Sequence, residues 1–275
     1  MSVKFGTCSW NYDSWVGLVY KERKSRAVEY LAEYARTYST VEIDSWYYRI
    51  PLSEEASAYR EQVPADFLFT IKAPQYLTLT HLRESTGRQN QDFLSPQLFR
   101  QFLIAIQPIL PNTAAIILQF EYLNRQKMAD VHAFLEKLEK FFDIAGNEAP
   151  LAVEIRNPNY LTADYFSLLK KHNIIHVLNE KQYMPPITEV ARRYHTYFND
   201  KIIVRLLGGS RSDIEKIAKK RWDRIVQPQN NPEKIVRMIQ YFSEQDKDIF
   251  VNVNNHYEGS APLSIKRLEK LIQDA

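Results

Sequence analysis

Eight times along this chain a short run of strand-forming residues starts apolar, turns polar near its C-terminal end and gives way to residues with helical spacing. The run at 151–157, Leu-Ala-Val-Glu-Ile-Arg-Asn, is the sharpest case. Pro150 and Pro158 bracket it, and Glu154 and Arg156 stand two residues apart, a spacing that puts both side chains on one face of a strand. A lone buried charge costs several kcal/mol, so ions placed there must be paired or must open into a polar site. The anomaly recurs with Glu42 and Asp44, Lys72, Gln119, Arg205, and the pair Asn252 and Asn254.

The strand-like runs fall at 3–8, 40–45, 67–73, 113–120, 151–157, 174–180, 201–207 and 248–254. Helical spacing predicts helices over 26–38, 53–62, 95–107, 126–142, 162–171, 186–198, 232–243 and 263–272. Ser53 reads as an N-cap, and Ser95-Pro96 as an N-cap with proline at the first helical position. Strand-helix alternation implies parallel strands. Eight strands with no linker between halves favour a single-domain α/β fold spanning 1–275, a (β/α)8 TIM-like barrel, over an open doubly wound sheet. The barrel also accounts for the late polarity, because functional groups in that fold collect at the C-terminal ends of the strands.

Three connections stand out. Residues 9–17 and 46–51 are aromatic loops containing Trp10, Tyr12, Trp15, Trp46, Tyr47 and Tyr48, and the long connection 74–95 carries His81, Arg83 and Arg88. After Gly208-Gly209 a basic, irregular segment runs to Pro228, and its Lys216, Lys219, Lys220, Arg221 and Arg224 read as a solvated face. Such a run engages a phosphate backbone only if it lies beside the barrel mouth.

Composition narrows the function classes. Hydrophobic residues at 45% suffice for a large core, and a net charge of +3 falls short of the strongly basic balance that marks nucleic-acid binders. Cys8 is the only cysteine, which excludes an intrachain disulfide and a thiolate metal cluster within one chain and suits a reducing cytoplasm. The start of the sequence shows no charged-then-apolar signal segment, and no apolar run approaches a membrane span. Neither common glycine-rich phosphate loop is present.

Read in order, Gly6-Thr7-Cys8-Ser9-Trp10, Glu42-Ile43, Tyr47-Tyr48-Arg49-Ile50-Pro51, Phe69-Thr70-Ile71-Lys72 and Thr80-His81 resemble the YecE-like family, also called domain of unknown function 72. Leu118-Gln119-Phe120, Ala152-Val153-Glu154-Ile155-Arg156, Val204-Arg205, and Asn254-Asn255 with Gly259 and Ala261 extend the resemblance over nearly the whole chain. It implies a TIM-like barrel and supplies no activity. Two departures are visible: Leu206-Leu207-Gly208-Gly209 stands where the family often has histidine and arginine, and Tyr160 stands in place of a tryptophan. At the level of fold the family is similar to barrels such as endonuclease IV and xylose isomerase, an analogy that assigns no chemistry.

In such a barrel the mouth gathers Glu42, Lys72, Gln119, Glu154, Arg156, Arg205 and Asn254, with His81 and His256 on loops above. Glu42 and Glu154 are expected to divide acid and base roles, with Lys72 as an electrophile or Schiff-base lysine. Arg156 and Arg205 suit an anionic group, while Trp10, Tyr47, His81, Gln119 and Asn254 contact substrate. A self-satisfied ion-pair network is the purely structural alternative. Six histidines, four of them placed in helices or a strand, are too few for a histidine-rich zinc cluster, so the expectation is a site without metal or cofactor, with a single magnesium or manganese on Glu42, Asp44 or Glu154 as the alternative. Cys8 reads as a small buried hydrophobe rather than a nucleophile. The expected activity is acid-base hydrolysis or lyase chemistry on a small anionic, phosphorylated or sugar-containing substrate. A nucleic-acid enzyme acting on damaged or flipped nucleotides and a non-catalytic binding module are the alternatives; oligomeric state is open.

Overall fold

The computed structural model describes residues 3–82 and 87–274, so Arg83 lies outside the described residues. Its strands are β1 (Val3–Thr7), β2 (Thr40–Ile43), β3 (Leu68–Lys72), β4 (Thr113–Gln119), β5 (Leu151–Glu154), β6 (Ile175–Lys181), β7 (Lys201–Gly208) and β8 (Asp248–Val253). All pair in parallel in the order β1-β8-β7-β6-β5-β4-β3-β2. The two strands at the ends of that order meet through a parallel bridge between Cys8 and Glu42, where the Ser9 amide donates to the Glu42 carbonyl at 3.0 Å. The eight strands thus form the expected (β/α)8 barrel.

The β1–β2 closure is the seam of the barrel. Between Thr7 and Thr40 a side chain replaces the ladder: the hydroxyl of buried Tyr34 accepts from the Thr7 amide at 2.9 Å and donates to the Thr40 carbonyl at 3.1 Å. Gly6 lets the two backbones come this close, since a Cβ there would lie 2.3 Å from the Thr40 carbonyl oxygen.

Around the strands lie α1 (Ala27–Tyr34), α2 (Ser53–Glu61), α3 (Pro96–Ala105), α4 (Val131–Ala145), α5 (Ala163–Lys171), α6 (Ile187–Tyr194), α7 (Arg211–Ala218), α8 (Pro232–Ser243) and α9 (Ala261–Gln273). The expected cap at Ser95 is present: its hydroxyl accepts from the Leu98 amide at 3.2 Å, with Pro96 in the first turn. Other boundaries need correction. Ser53 is no cap, because Leu52 holds the extended boundary position and Ser53 already lies in the first turn of α2. The helix expected from residue 126 begins at Val131, since Asn124 Oδ1 accepts from the Gln126 and Lys127 amides and folds that stretch into a turn. The strand at 151–157 ends at Glu154, and a short turn of 3-10 helix, Pro158–Tyr160, follows. Part of the segment expected to be irregular is α7, capped by Ser210 and ended at Lys219 in the left-handed region.

The inside of the barrel follows the two-residue period of the strands. A small apolar cluster, separate from the main core, contains Ile117, Ala152, Val177, Ile203 and Phe250. Two residues further along each strand stand Gln119, Glu154, Asn179, Arg205 and Asn252, so each inward row changes from apolar to polar at one level. Asn252 Nδ2 reaches across to Thr70 Oγ1 at 2.8 Å. Among the described residues no helix is long and apolar enough to cross a membrane.

Candidate functional site

Arg205 is the centre of the polar layer. Its Nε and Nη2 donate to Glu42 Oε2 and Oε1, each at 2.7 Å, while Nη1 donates to Gln119 Oε1 at 3.0 Å and to Glu154 Oε2. Strand pairing sets the level: Gln119 is in register with Glu154, and Arg205 with both Asn179 and Asn252. Glu42 and Glu154 are fully buried. Arg156 Nη2 forms an ion pair with the remaining oxygen of Glu154, Oε1. Burial alone would raise the Glu154 carboxyl, but Arg156 and Arg205 more than offset it and hold it below the ordinary range.

Lys72 and Asp44 sit beside this cluster on different terms. Lys72 Nζ lies 4.0 Å from the ring centroid of Tyr47 and has no carboxylate within salt-bridge distance among the described residues. Burial, then the nearby Arg205 charge, lower its pKa below that of a free lysine. Asp44, just past β2, is half-buried; burial, then the Glu42 charge, push its carboxyl up to about 6. Tyr12 stands close by, its phenol pushed up by burial and by the Asp44 charge. Cys8 is buried, and burial followed by the Glu42 charge keeps its thiol protonated.

Above the ion pairs opens a cavity of about 670 Å³, lined by Tyr47, Gln119, Tyr122, Arg156, Lys181 and Tyr183 among others. These residues come from the C-terminal ends of, and loops after, β2, β4, β5 and β6. Arg156 Nη1 is buried with no hydrogen-bond partner. The lining carboxylate, Glu121, is itself paired with Lys127. Tyr122 and Tyr183 are exposed at the cavity rim. Among the described residues, no three histidine, cysteine, aspartate or glutamate side chains converge as a metal-holding group.

A family model described as a protein of unknown function, DUF72, matches residues 4–275. The chain belongs to the DUF72 family. It is 27% identical over 158 residues to the UPF0759 protein YecE of Escherichia coli K12, an alignment covering 58% of the chain and 50% of that relative. The chain therefore spans about half the length of the curated relative it matches. A DUF72 family protein from Thermotoga maritima superposes with a TM-score of 0.71 at 22% identity, covering 99% of this chain and 100% of that one. One from Enterococcus faecalis superposes with a TM-score of 0.70 at 20% identity, covering 99% and 96%. At such identities the solved structures establish the fold alone.

Of the residues expected at the mouth, this DUF72 barrel gathers Glu42, Lys72, Gln119, Glu154, Arg156, Arg205 and Tyr47. Trp10, His81 and Asn254 do not line that cavity. Trp10 is buried, donates its indole N–H to the Ala27 carbonyl at 2.8 Å and packs edge-on against Tyr59. His81 lines a separate cavity of about 210 Å³ with Asn90 and Lys127. Asn254 Oδ1 accepts from the His256 amide at 2.9 Å and meets the His256 ring, which reaches Glu215 of α7. The segment after α7, which carries all of the basic run except Lys216, packs on the side of the rim formed by β8 and β1, with the Trp222 amide donating to Ser14 Oγ and the Val226 amide to the Glu258 carbonyl. Both departures from the family pattern have structural roles: Gly208 is left-handed with the His256 carbonyl 2.4 Å from where a Cβ would lie, and Tyr160 packs on Phe134. Asp44, noted as a late charge in the second strand-like run, lies beside the Arg205 cluster, and Lys181, not singled out in the sequence, lines the cavity. Lys181 ends β6 and so follows the same late-polar pattern as the residues that were.

Proposed function

We propose that this DUF72 chain is an enzyme that takes a small anionic molecule, phosphorylated or bearing a sugar acid, into the barrel mouth and acts on it by acid-base hydrolysis or lyase chemistry. The observation that carries the reading is Arg156: the residue lines the cavity and has a buried, unpaired Nη1, and Lys181 lines the same wall. A buried donor without a partner is costly, and an anionic oxygen would satisfy it. Arg156 and Lys181 then form the anion clamp and Gln119 orients the ligand. Arg156 and Lys181 supply the positive charge, so the proposal requires no metal ion.

Arg205 has no role as a clamp in this proposal, because Glu42, Glu154 and Gln119 already engage its donors. Glu42 becomes a positioning residue that fixes Arg205. The acid-base role falls to Asp44, whose carboxyl, raised to about 6, holds and releases a proton near neutral pH, whereas Glu154, held low by Arg156 and Arg205, stays ionised and positions Arg156. Product formation followed by NMR over phosphorylated sugars and sugar acids tests the reading. Turnover of one class, lost in Asp44→Asn and in Glu154→Gln with the fold intact, is the expected result. Full activity in both variants would contradict the assigned roles.

A further inference from the structure

We propose that Lys72 is an amine nucleophile that forms an imine with an anionic aldehyde or ketone bound in the barrel mouth. The proposal rests on the anion-binding reading of the same cavity and names the reacting group of its ligand.

The placement of Lys72 is unlike that of a structural lysine. A buried ammonium ordinarily sits against a carboxylate, and three carboxylates act on Lys72, but Arg205 occupies Glu42 with both prongs and shares Glu154 with Arg156, and Asp44 makes no ion pair with Lys72 among the described residues. Lys72 Nζ is left against the face of Tyr47, and Tyr47 is itself part of the cavity wall. Lys72 ends β3, so the strand holds its Cα rigidly while Nζ packs on the Tyr47 ring that lines the cavity, with 8% of the residue still exposed. Desolvation and a neighbouring cation are the two devices that make a lysine amine nucleophilic, and here both act: Lys72 is buried and Arg205 is near. With Arg156 and Lys181 holding the anionic end of a ligand, its carbonyl carbon is presented to Lys72 Nζ.

The step balances without a redox partner. The Nζ lone pair attacks the carbonyl carbon, a C–N bond forms, and the C=O π pair moves to oxygen, which takes a proton to give a carbinolamine. Loss of one proton from nitrogen and protonation of the hydroxyl then break the C–O bond and release water, leaving a protonated C=N that retains the second nitrogen proton, with one proton taken up overall. Asp44 acts on Lys72 electrostatically from the end of β2 and supplies a carboxyl able to carry these protons.

Reductive trapping tests the step on the full chain. The protein is incubated at neutral pH with glyoxylate or with dihydroxyacetone phosphate, treated with sodium borohydride, which reduces an imine to a stable secondary amine, and mapped by peptide mass spectrometry. The expected result is an adduct concentrated on Lys72 above every other lysine, lost in Lys72→Arg and reduced in Arg156→Ala. Competitive acetylation of the unliganded protein across pH provides a second measurement that needs no ligand, and Lys72 should react at a lower pH than the exposed lysines. No enrichment at Lys72 with either probe overturns the proposal, as does acetylation at the pH of an ordinary lysine. A melting-temperature rise with inorganic phosphate that persists in Lys72→Arg and disappears in Arg156→Ala separates the two readings: seen without a Lys72 adduct, it leaves the anion site standing and removes the imine.

Discussion

Arg205 grips Glu42 with both prongs of its guanidinium, Nε to Oε2 and Nη2 to Oε1 at 2.7 Å each, across 163 residues of sequence. The pair joins β7 to β2 through the barrel interior. Glu42 also supplies the backbone carbonyl that receives the Ser9 amide at the seam. One residue therefore both closes the barrel and fixes the cation at its centre.

Removing Arg205 strands the fully buried Glu42 carboxylate and leaves Glu154 with Arg156 alone. Arg205→Ala is expected to destabilise the fold by about 3–5 kcal/mol, the usual cost of leaving a buried charge uncompensated. Arg205→Lys should recover little of it, because an ammonium cannot reproduce the bidentate fork and the third contact to Gln119. Urea unfolding followed by circular dichroism measures both. A loss under 1 kcal/mol in either would mean that the carboxylates find other partners.

The seam predicts its own weak point. Tyr34→Phe leaves the Thr7 amide and the Thr40 carbonyl without the hydroxyl that joins them, at a cost of about 1–3 kcal/mol. Hydrogen exchange should show the Thr7 amide losing protection while the β6–β7 ladder keeps its own.

Asp44 makes stability depend on pH. Its folded pKa of about 6 lies above its ordinary value of 3.8, so between those values the folded chain holds a proton that the unfolded chain has released. Stability therefore falls as pH rises through that window. Asp44→Asn should flatten the slope and stabilise the protein above pH 6 by up to roughly 3 kcal/mol, the shift converted at its upper bound. Urea midpoints at pH 4, 6 and 8, compared between the two proteins, provide the check.

His176 gives the opposite slope. Burial pushes its pKa from 6.5 down to about 3, and its Nδ1 lies 3.0 Å from the Tyr165 hydroxyl. Below pH 6.5 the unfolded chain takes a proton that the folded chain refuses, so stability falls as pH drops toward 3. His176→Gln should weaken that acid sensitivity in a melting-temperature series, and an unchanged series would place the acid-labile group elsewhere. The two effects overlap between pH 3.8 and 6, so they separate only in the single variants.

The fold was legible because period and breakers agree along the chain: eight apolar runs, each followed by helical spacing, with Ser95-Pro96 and Thr162 marking helix starts. The candidate site was legible as far as strand alternation reaches. Glu154 and Arg205 stand out because a charge in an apolar run demands a partner. What alternation cannot reveal is which partner each takes. Arg205 looked like an anion clamp until its donors were found filled by Glu42, Glu154 and Gln119. Trp10, His81 and Asn254 lie in loops, where side-chain direction depends on tertiary contacts such as the Trp10 indole bond to Ala27. Asp44 was visible as a charge, yet its raised pKa depends on burial and on Glu42, neither of which local sequence determines.

The central claim is that the barrel mouth binds an anion through Arg156. The measurement that tests it most directly is a thermal-shift series on the wild type and Arg156→Ala with inorganic phosphate, phosphorylated sugars, sugar acids, nucleotides, abasic oligonucleotides and matched neutral sugars. Near a hundredfold excess over Kd, the wild type should gain roughly 5 °C with at least one anion class and nothing with neutral sugars, and Arg156→Ala should lose the gain. Absence of any anion-dependent shift, or an equal shift in Arg156→Ala, would contradict the account.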